Sequence, residues 1–228
     1  MTWALVPAAG SGRRFGGEVP KQYLQAAGKP LIAHALDALL AHARIDGVVV
    51  ALAAEDPRWP GWTTLHGKPV VTCIGGGERA ESVLAALLAL PAGVADDELL
   101  LVHDAARPNL RADDISRLID AATACEDGAI LAAPVRDTLK RGHADKRIAQ
   151  THPREGLWRA LTPQAFRRDL LRRALEAAES DGLVVTDEAM AVERFGLRPR
   201  LVEGREDNLK VTTPADLALA EFLLTRHA

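Results

Sequence analysis

Residues 3–16 read Trp3-Ala4-Leu5-Val6-Pro7-Ala8-Ala9-Gly10-Ser11-Gly12-Arg13-Arg14-Phe15-Gly16. A short apolar run breaks into a loop of small residues and then meets two adjacent arginines. An apolar strand running straight into a glycine-rich loop is the first half of a β–loop–α unit, and the leucines of residues 31–43 recur at helical spacing to complete it. The unit repeats outward from there. Residues 48–52 (VVVAL) and 70–74 (VVTCI) are apolar strands, the second ending in Gly75-Gly76-Gly77. A helix runs to Leu90, the strand 99–102 (LLLV) leads into His103-Asp104, a helix spans 113–124, and residues 129–133 (AILAA) form another strand. Continuous apolar strands alternating with helices predict an α/β domain with a mostly parallel sheet covered on both faces.

The texture changes after residue 135. Between residues 136 and 154 stand six lysines or arginines, two aspartates and few apolar side chains, too polar for a core element. This stretch is either a protruding β-hairpin or a flexible loop. Beyond it the α/β texture resumes, with helices expected over 164–179, 187–195 and 214–224 and a strand over 200–202. No linker and no repeat of fixed period interrupts the chain, so 1–228 reads as one domain carrying a basic insertion at about 134–157.

At 48% hydrophobic residues the chain can bury a large core, and a net charge of −3 gives no bulk attraction to nucleic acid or to an anionic membrane. Any anion site must be local. Cys73 and Cys125 lie far apart, with neither a disulfide framework nor a metal-ligand spacing, and are expected as buried reduced thiols. The amino terminus has no basic leader and Pro7 cuts its apolar run, so neither a signal peptide nor a spanning helix is expected and the location is read as cytoplasmic.

Open α/β sheets bind ligands beyond the carboxyl ends of their strands. The opening loop sits at such an end: Gly10 and Gly12 permit close backbone approach, and Arg13, Arg14 and Lys21 supply charge. A tight strand-to-helix turn with solvated arginines is the plain alternative. A dinucleotide fingerprint needs glycine where Phe15 stands, and a nucleoside triphosphatase loop needs the absent Gly-Lys-Ser/Thr. Arginine and lysine at such a loop suit catalysis on a triphosphate, where charge shifts toward a leaving pyrophosphate.

The segments PAAGSGRRFG (7–16), PKQY (20–23), GGGERAESV (75–83), VHDAARP (102–108), RDTLK (136–140), LTPQAF (161–166), TDEA (186–189) and NLKVTTPADLALAE (208–221) closely resemble, nearly end to end, the 2-C-methyl-D-erythritol 4-phosphate cytidylyltransferases of the non-mevalonate isoprenoid pathway. The resemblance implies a Rossmann-like nucleotidyltransferase domain, in the single-activity form without a fused cyclase, that transfers CMP from CTP to methylerythritol phosphate and releases pyrophosphate. It further implies Arg14, Lys21 and Lys210 as catalytic cations, and Ala8, Ala9, Gly10, Gly12, Gly76, Gly77 and Ser82 around the nucleotide. Arg107 and Lys210 would bind the acceptor phosphate, with Thr138, Arg154 and Thr162 assisting. Gly77 departs from relatives with aspartate there, so only a backbone contact to the base would survive. Asp104, by pattern alone a helix or turn cap, becomes by resemblance the ligand of Mg2+ or another divalent cation. The basic insertion would be an arm clasping a second copy in a homodimer and lending Thr138 and Arg154 to the neighbouring site. His103 reads as a packed or hydrogen-bonding neighbour, since no proton must be removed. A cytidylyltransferase for another sugar-alcohol phosphate, such as ribitol 5-phosphate, shares much of this motif set. A nonenzymatic nucleotide-binding regulator is the alternative of another class, against which the retention of Arg14, Lys21, Asp104 and Lys210 together speaks.

Overall fold

The computed structural model describes residues 1–10 and 19–226. In chain order the elements are strand β1 (Thr2–Pro7), a 3-10 turn at Lys21–Tyr23, the small pair β2 (Gln25–Ala26) and β3 (Lys29–Pro30), helix α1 (Leu31–Leu40), β4 (Gly47–Leu52), β5 (Thr64–Leu65), β6 (Lys68–Ile74) and α2 (Arg79–Leu88). There follow β7 (Leu99–Val102), α3 (Ala112–Thr123), β8 (Ala129–Pro134), β9 (Leu139–Gly142), β10 (Ile148–His152) and β11 (Trp158–Arg167). The chain closes with α4 (Arg168–Ser180), α5 (Glu188–Glu193), β12 (Arg200–Glu203) and α6 (Pro214–Thr225).

Eight strands make the central sheet in the order β12-β8-β11-β7-β1-β4-β6-β5. The pairs β1/β4, β1/β7, β4/β6 and β12/β8 are parallel, while β11 runs antiparallel to both β7 and β8. Because alternate strand residues face opposite ways, β1 divides its side chains between two cores. Ala4 and Val6 join Ile32, Leu36, Ile115 and Leu118 under α1 and α3; Trp3 and Leu5 join Val83, Leu87, Phe166 and Leu171 under α2 and α4. Both faces are thus covered, which is why these strands read as unbroken apolar runs.

One expected element is corrected. Residues 164–167, read as the start of a helix, are the end of β11, and α4 begins only at Arg168. Gln164 to Arg167 pair with Val102 to Leu99 of β7, and Gln164 and Ala165 also pair with β8. Tertiary pairing on both edges overrides a local pattern that flows into the helix. A register shift between Ala160 and Gln164 bends β11 around Leu161-Thr162-Pro163. The basic stretch contains the β9/β10 antiparallel ladder, hydrogen-bonded to itself and not to the main sheet. Both cysteines are free but half-buried rather than buried: Cys73 lies on β6, next to the edge strand β5, and Cys125 in the turn after α3. Among the described residues no helix is long and apolar enough to cross a membrane.

Candidate active site

The carboxyl ends of β1, β6 and β7 converge on one side of the sheet. Here the chain has gone from β1 outward to β4 and β6 and then returned to the opposite flank at β7. This reversal leaves a crevice between the diverging loops. Three segments build its walls.

The first is the loop after β1. The Ala8 amide donates to the Ala51 carbonyl at 2.7 Å, prolonging the strand. Buried Gln22, in the 3-10 turn, donates from Nε2 to the carbonyls of Ala8 (2.7 Å) and Gly10 (3.2 Å). It fixes the loop's near end and sets neighbouring Lys21 on the crevice wall. The second is the Gly75-Gly76-Gly77 turn. A Cβ on Gly75 would lie 2.7 Å from Ala9 Cβ and 2.8 Å from Ser82 Oγ, so only glycine lets the loop, the turn and α2 close together. At Gly77 a Cβ meets nothing nearer than 3.7 Å, and the amide donates to Glu81 Oε2 at 2.7 Å. Gly77 is therefore not demanded by space, and a larger residue fits. The Ser82 hydroxyl lies within 3.1 Å of the Glu78 carbonyl, to which it donates.

The third wall is the loop after β7, centred on Asp104. Its carboxylate is buried and meets three cations: Oδ1 accepts from Arg79 Nε at 3.0 Å, while Oδ2 faces Lys210 Nζ at 2.9 Å and Arg107 Nε at 3.3 Å. Burial alone would raise its proton affinity, but Arg79, Lys210 and Arg107 outweigh burial and hold Asp104 well below the usual carboxylate range. His103 is wholly buried beside it. Its Nε2 sits 3.1 Å from the Arg107 carbonyl, which can only accept, so Nε2 carries the proton and Nδ1 accepts from the Thr162 hydroxyl at 3.0 Å. Burial, opposed by Asp104, pushes His103 down to about 4, so the ring is neutral. The same Thr162 oxygen accepts the Asp104 amide at 3.1 Å, and Asn208 ties the Thr162 carbonyl at 2.7 Å.

Two hollows meet at Asp104. One is lined by Ala8, Ala9, Gly10, Lys21, Gly76, Gly77 and Ser82 together with Arg79, Asp104 and Lys210. The other is lined by Arg107, Thr162, Gln164, Thr186 and Asp187 together with the same Arg79, Asp104 and Lys210. The structure thus joins most of the expected site. Thr138 and Arg154 line neither hollow; they are exposed in the β9/β10 region, where the Arg154 guanidinium donates to the Arg136 carbonyl. Gly12 and Arg14 lie outside the described residues. Arg79 and Gln22, which stand beside the glycines and Lys21 in the motifs GGGERAESV and PKQY, carry no local signal of their roles. Glu188 stands in the first turn of α5, and its buried carboxylate grips Arg79 through Nη1 and Nη2. Only the fold brings residues 79 and 188 together.

For a divalent cation, Asp104 is the fitting donor. Magnesium takes one or two protein carboxylates with phosphates and waters, and Oδ1 of Asp104 accepts from Arg79 Nε. Three cations around it mean that a dication settles there only alongside an anionic phosphate. Among the described residues no cluster of three or more acidic, histidine or cysteine ligands exists that would hold a metal unaided.

A crevice at the parallel strand ends, with Arg79 and Lys210 on the wall of both hollows, suits an α/β enzyme acting on phosphates, and the sequence comparisons place it in the nucleotidyltransferase class. The sequence pattern of the 2-C-methyl-D-erythritol 4-phosphate cytidylyltransferases matches residues 2–226. The 2-C-methyl-D-erythritol 4-phosphate cytidylyltransferase of Xanthomonas campestris pv. campestris (strain 8004) is 64% identical over 225 residues, covering 99% of this chain and 85% of its own. That of Stenotrophomonas maltophilia (strain R551-3) is 62% identical, covering 99% of this chain and 97% of its own. A crystal structure of 4-diphosphocytidyl-2C-methyl-D-erythritol synthase superposes with a TM-score of 0.85 at 39% identity, over 98% of both chains. The Francisella tularensis 2-C-methyl-D-erythritol 4-phosphate cytidylyltransferase gives 0.84 at 32%, over 97% of this chain and 99% of its own. The chain belongs to the 2-C-methyl-D-erythritol 4-phosphate cytidylyltransferase family.

Proposed function

We propose that the chain transfers the cytidylyl group of CTP to the phosphate of 2-C-methyl-D-erythritol 4-phosphate, with release of pyrophosphate. The observation that carries this is the pair of hollows meeting at Asp104, with Arg79 and Lys210 on the wall of both. Two phosphate-bearing substrates in adjoining hollows bring an acceptor oxygen up to an α-phosphorus. The acceptor phosphate, with a second pKa of about 6, is mostly dianionic at neutral pH and is itself the nucleophile. No general base is needed, which agrees with a His103 that is neutral, buried and fully hydrogen-bonded.

The CTP side is the hollow of Ala8, Ala9 and Gly10, where Lys21, and Arg14 by family resemblance, neutralise the triphosphate as charge moves to the leaving pyrophosphate. Ser82 and Gly76 shape the seat of the base. Gly77 offers the base its carbonyl, its amide being held by Glu81. On the acceptor side Arg107 and Lys210 hold the phosphate. Thr162 acts by orienting the Asp104 loop, since its proton is engaged by His103. Asp104 would hold a magnesium ion together with triphosphate oxygens, and that ion supplies neutralising charge between the reacting phosphates.

We further infer a homodimer in which the β9/β10 arm carries Thr138 and Arg154 to the neighbouring copy's acceptor hollow. Their exposure, and their absence from the walls of both Asp104 hollows of their own chain, support this. A cytoplasmic location is the reading that two unpaired cysteines support.

The test is pyrophosphate release with each of the four nucleoside triphosphates against methylerythritol phosphate and ribitol 5-phosphate, with and without magnesium. Release confined to CTP with methylerythritol phosphate is expected; faster turnover of ribitol 5-phosphate would transfer the assignment to that acceptor.

A further inference from the structure

Glu188 plays no part in the roles above, yet its placement is costly. Its carboxylate is completely buried, and it accepts from both terminal nitrogens of one guanidinium, Arg79, with Nη2 to Oε2 at 3.1 Å. A buried carboxylate is tolerated only when it is paired and hydrogen-bonded. An acid at the first turn of a helix is ordinarily a cap. Here Asp187 performs that duty, its Oδ1 accepting the Met190 amide at 3.0 Å, and Glu188 turns away from its own helix.

Arg79 is held at its other end too, donating from Nε to Asp104 Oδ1 at 3.0 Å. One guanidinium therefore spans two buried carboxylates, one from α5 and one from the loop after β7, on the wall common to both hollows. The start of α5 is anchored in turn by Gln164 of β11. Its Nε2 donates to Asp187 Oδ2 and its Oε1 accepts the Ala189 amide, both at 2.9 Å. Two residues earlier on the same strand, Thr162 accepts the Asp104 amide. The chain of contacts closes on itself: β11, α5, Glu188, Arg79, Asp104, and back to β11.

We propose that Glu188 is a positioning residue of the transfer reaction, holding Arg79 across the boundary of the two hollows and, through Arg79, fixing the orientation of the Asp104 carboxylate. The proposal rests on the cytidylyl-transfer reading. Three of the five guanidinium N–H groups are used by Glu188 and Asp104, and among the described residues the other two meet no acceptor and can reach phosphate oxygens. Without the Glu188 charge, Arg79 is free to turn onto Asp104 with two nitrogens and draw its carboxylate off Lys210 and Arg107. The loop and glycine contacts expected for CTP do not include Glu188, so the loss falls on the chemical step.

The experiment is a double-mutant cycle on Glu188→Gln, Arg79→Lys and the pair, reading kcat and KM for each substrate, with circular dichroism and thermal midpoints alongside. Glu188→Gln keeps shape and loses charge. It should lower kcat by roughly 10- to 100-fold, the scale of a misplaced catalytic group, while KM for CTP stays within about threefold of wild type. The double variant should be no slower than Arg79→Lys alone, because Glu188 acts only through Arg79. Glu188→Asp, which retains the charge on a shorter arm, should recover part of kcat. Wild-type kcat in Glu188→Gln, or losses that simply multiply in the double variant, overturns the proposal. Should Glu188→Gln not fold, the cycle is run with Glu188→Ala, and the same two outcomes overturn it. A wild type that releases no pyrophosphate from CTP and methylerythritol phosphate removes the functional reading and the positioning role together, whereas a normal wild type with a normal Glu188→Gln removes only the role.

Discussion

Lys21 owes its position to its neighbour Gln22, whose two hydrogen bonds pin the loop after β1. Lys21→Ala should therefore cost turnover and not folding. Loss of one preformed charge at the transferring phosphorus is worth about 10²- to 10³-fold in kcat, and steady-state pyrophosphate release by a variant with an unchanged thermal midpoint checks it. His103 makes the opposite kind of prediction. Its folded-state value, pushed down to about 4 by burial, lies below the value of about 6.5 in an unfolded chain. The unfolded state then binds more protons between these values, so His103-linked stability is intact above about pH 6.5 and is lost as the pH falls toward 4. The full loss is on the order of 3 kcal/mol. Urea midpoints measured from pH 7 to 4 should fall steeply in the wild type and less in His103→Gln. His42, also lowered by burial, contributes to the slope of both proteins. The glycines and Lys21 were legible because they stand in the loop that follows an apolar strand, whereas Asp104 and Lys210 were reached only through the family resemblance. Arg79 and Glu188 were not legible: they are 109 positions apart, and nothing local distinguishes a gripping carboxylate from a capping one.

Among the elements, β11 shows best where sequence reading stops. Its last residues, Gln-Ala-Phe-Arg, continue smoothly into the amphipathic pattern of α4, and only double pairing with β7 and β8 makes them strand. The parallel strands β1, β4, β7 and β8 were legible because burial on both faces leaves runs of valine, leucine and alanine with no other explanation. The β11/β8 junction also contains a steric keystone. Gly128, leading into β8, has φ of +86°, and a Cβ there would lie 2.3 Å from Phe166 Cδ1 and 2.7 Å from the Ala165 carbonyl oxygen. Gly128→Ala should destabilise the fold by about 3 kcal/mol through backbone strain and overpacking combined, a fall of roughly 5–10 °C in thermal midpoint. Pyrophosphate release per folded molecule should remain near wild type, because the clash lies beside Phe166 and not at Asp104.

For the whole molecule, the inferred dimer makes a complementation prediction. A two-stranded ribbon such as β9/β10 is marginal in water unless something covers it, and a second copy is the partner proposed here. Lys21→Ala and Arg154→Ala chains, each inactive alone, should regain activity when mixed, because one site of each heterodimer then holds an intact Lys21 and an intact Arg154. Heterodimers that form and stay inactive would assign Arg154 to its own subunit. That the basic stretch stands outside the core was legible from its composition. Its pairing into strands was one of two open readings, since few apolar residues alternate along it.

On the ribosome, the order of synthesis and the order of strands disagree. β1 is made first but belongs at the middle of the sheet, between β4 and β7. β7 arrives only at residues 99–102, and β11, which must lie between β7 and β8, only at residues 158–167. At about 5–20 residues per second, the nascent chain spends several seconds with the edge of β1 unpaired and its apolar face half covered. The half-sheet β1-β4-β6-β5 is the most it can build meanwhile. The crevice takes its walls from the ends of β1, β6 and β7 and from Lys210, so it is complete only in a chain that reaches residue 210. Nucleotide protection of arrested nascent chains would therefore appear late and in one step, as the last third of the polypeptide leaves the tunnel.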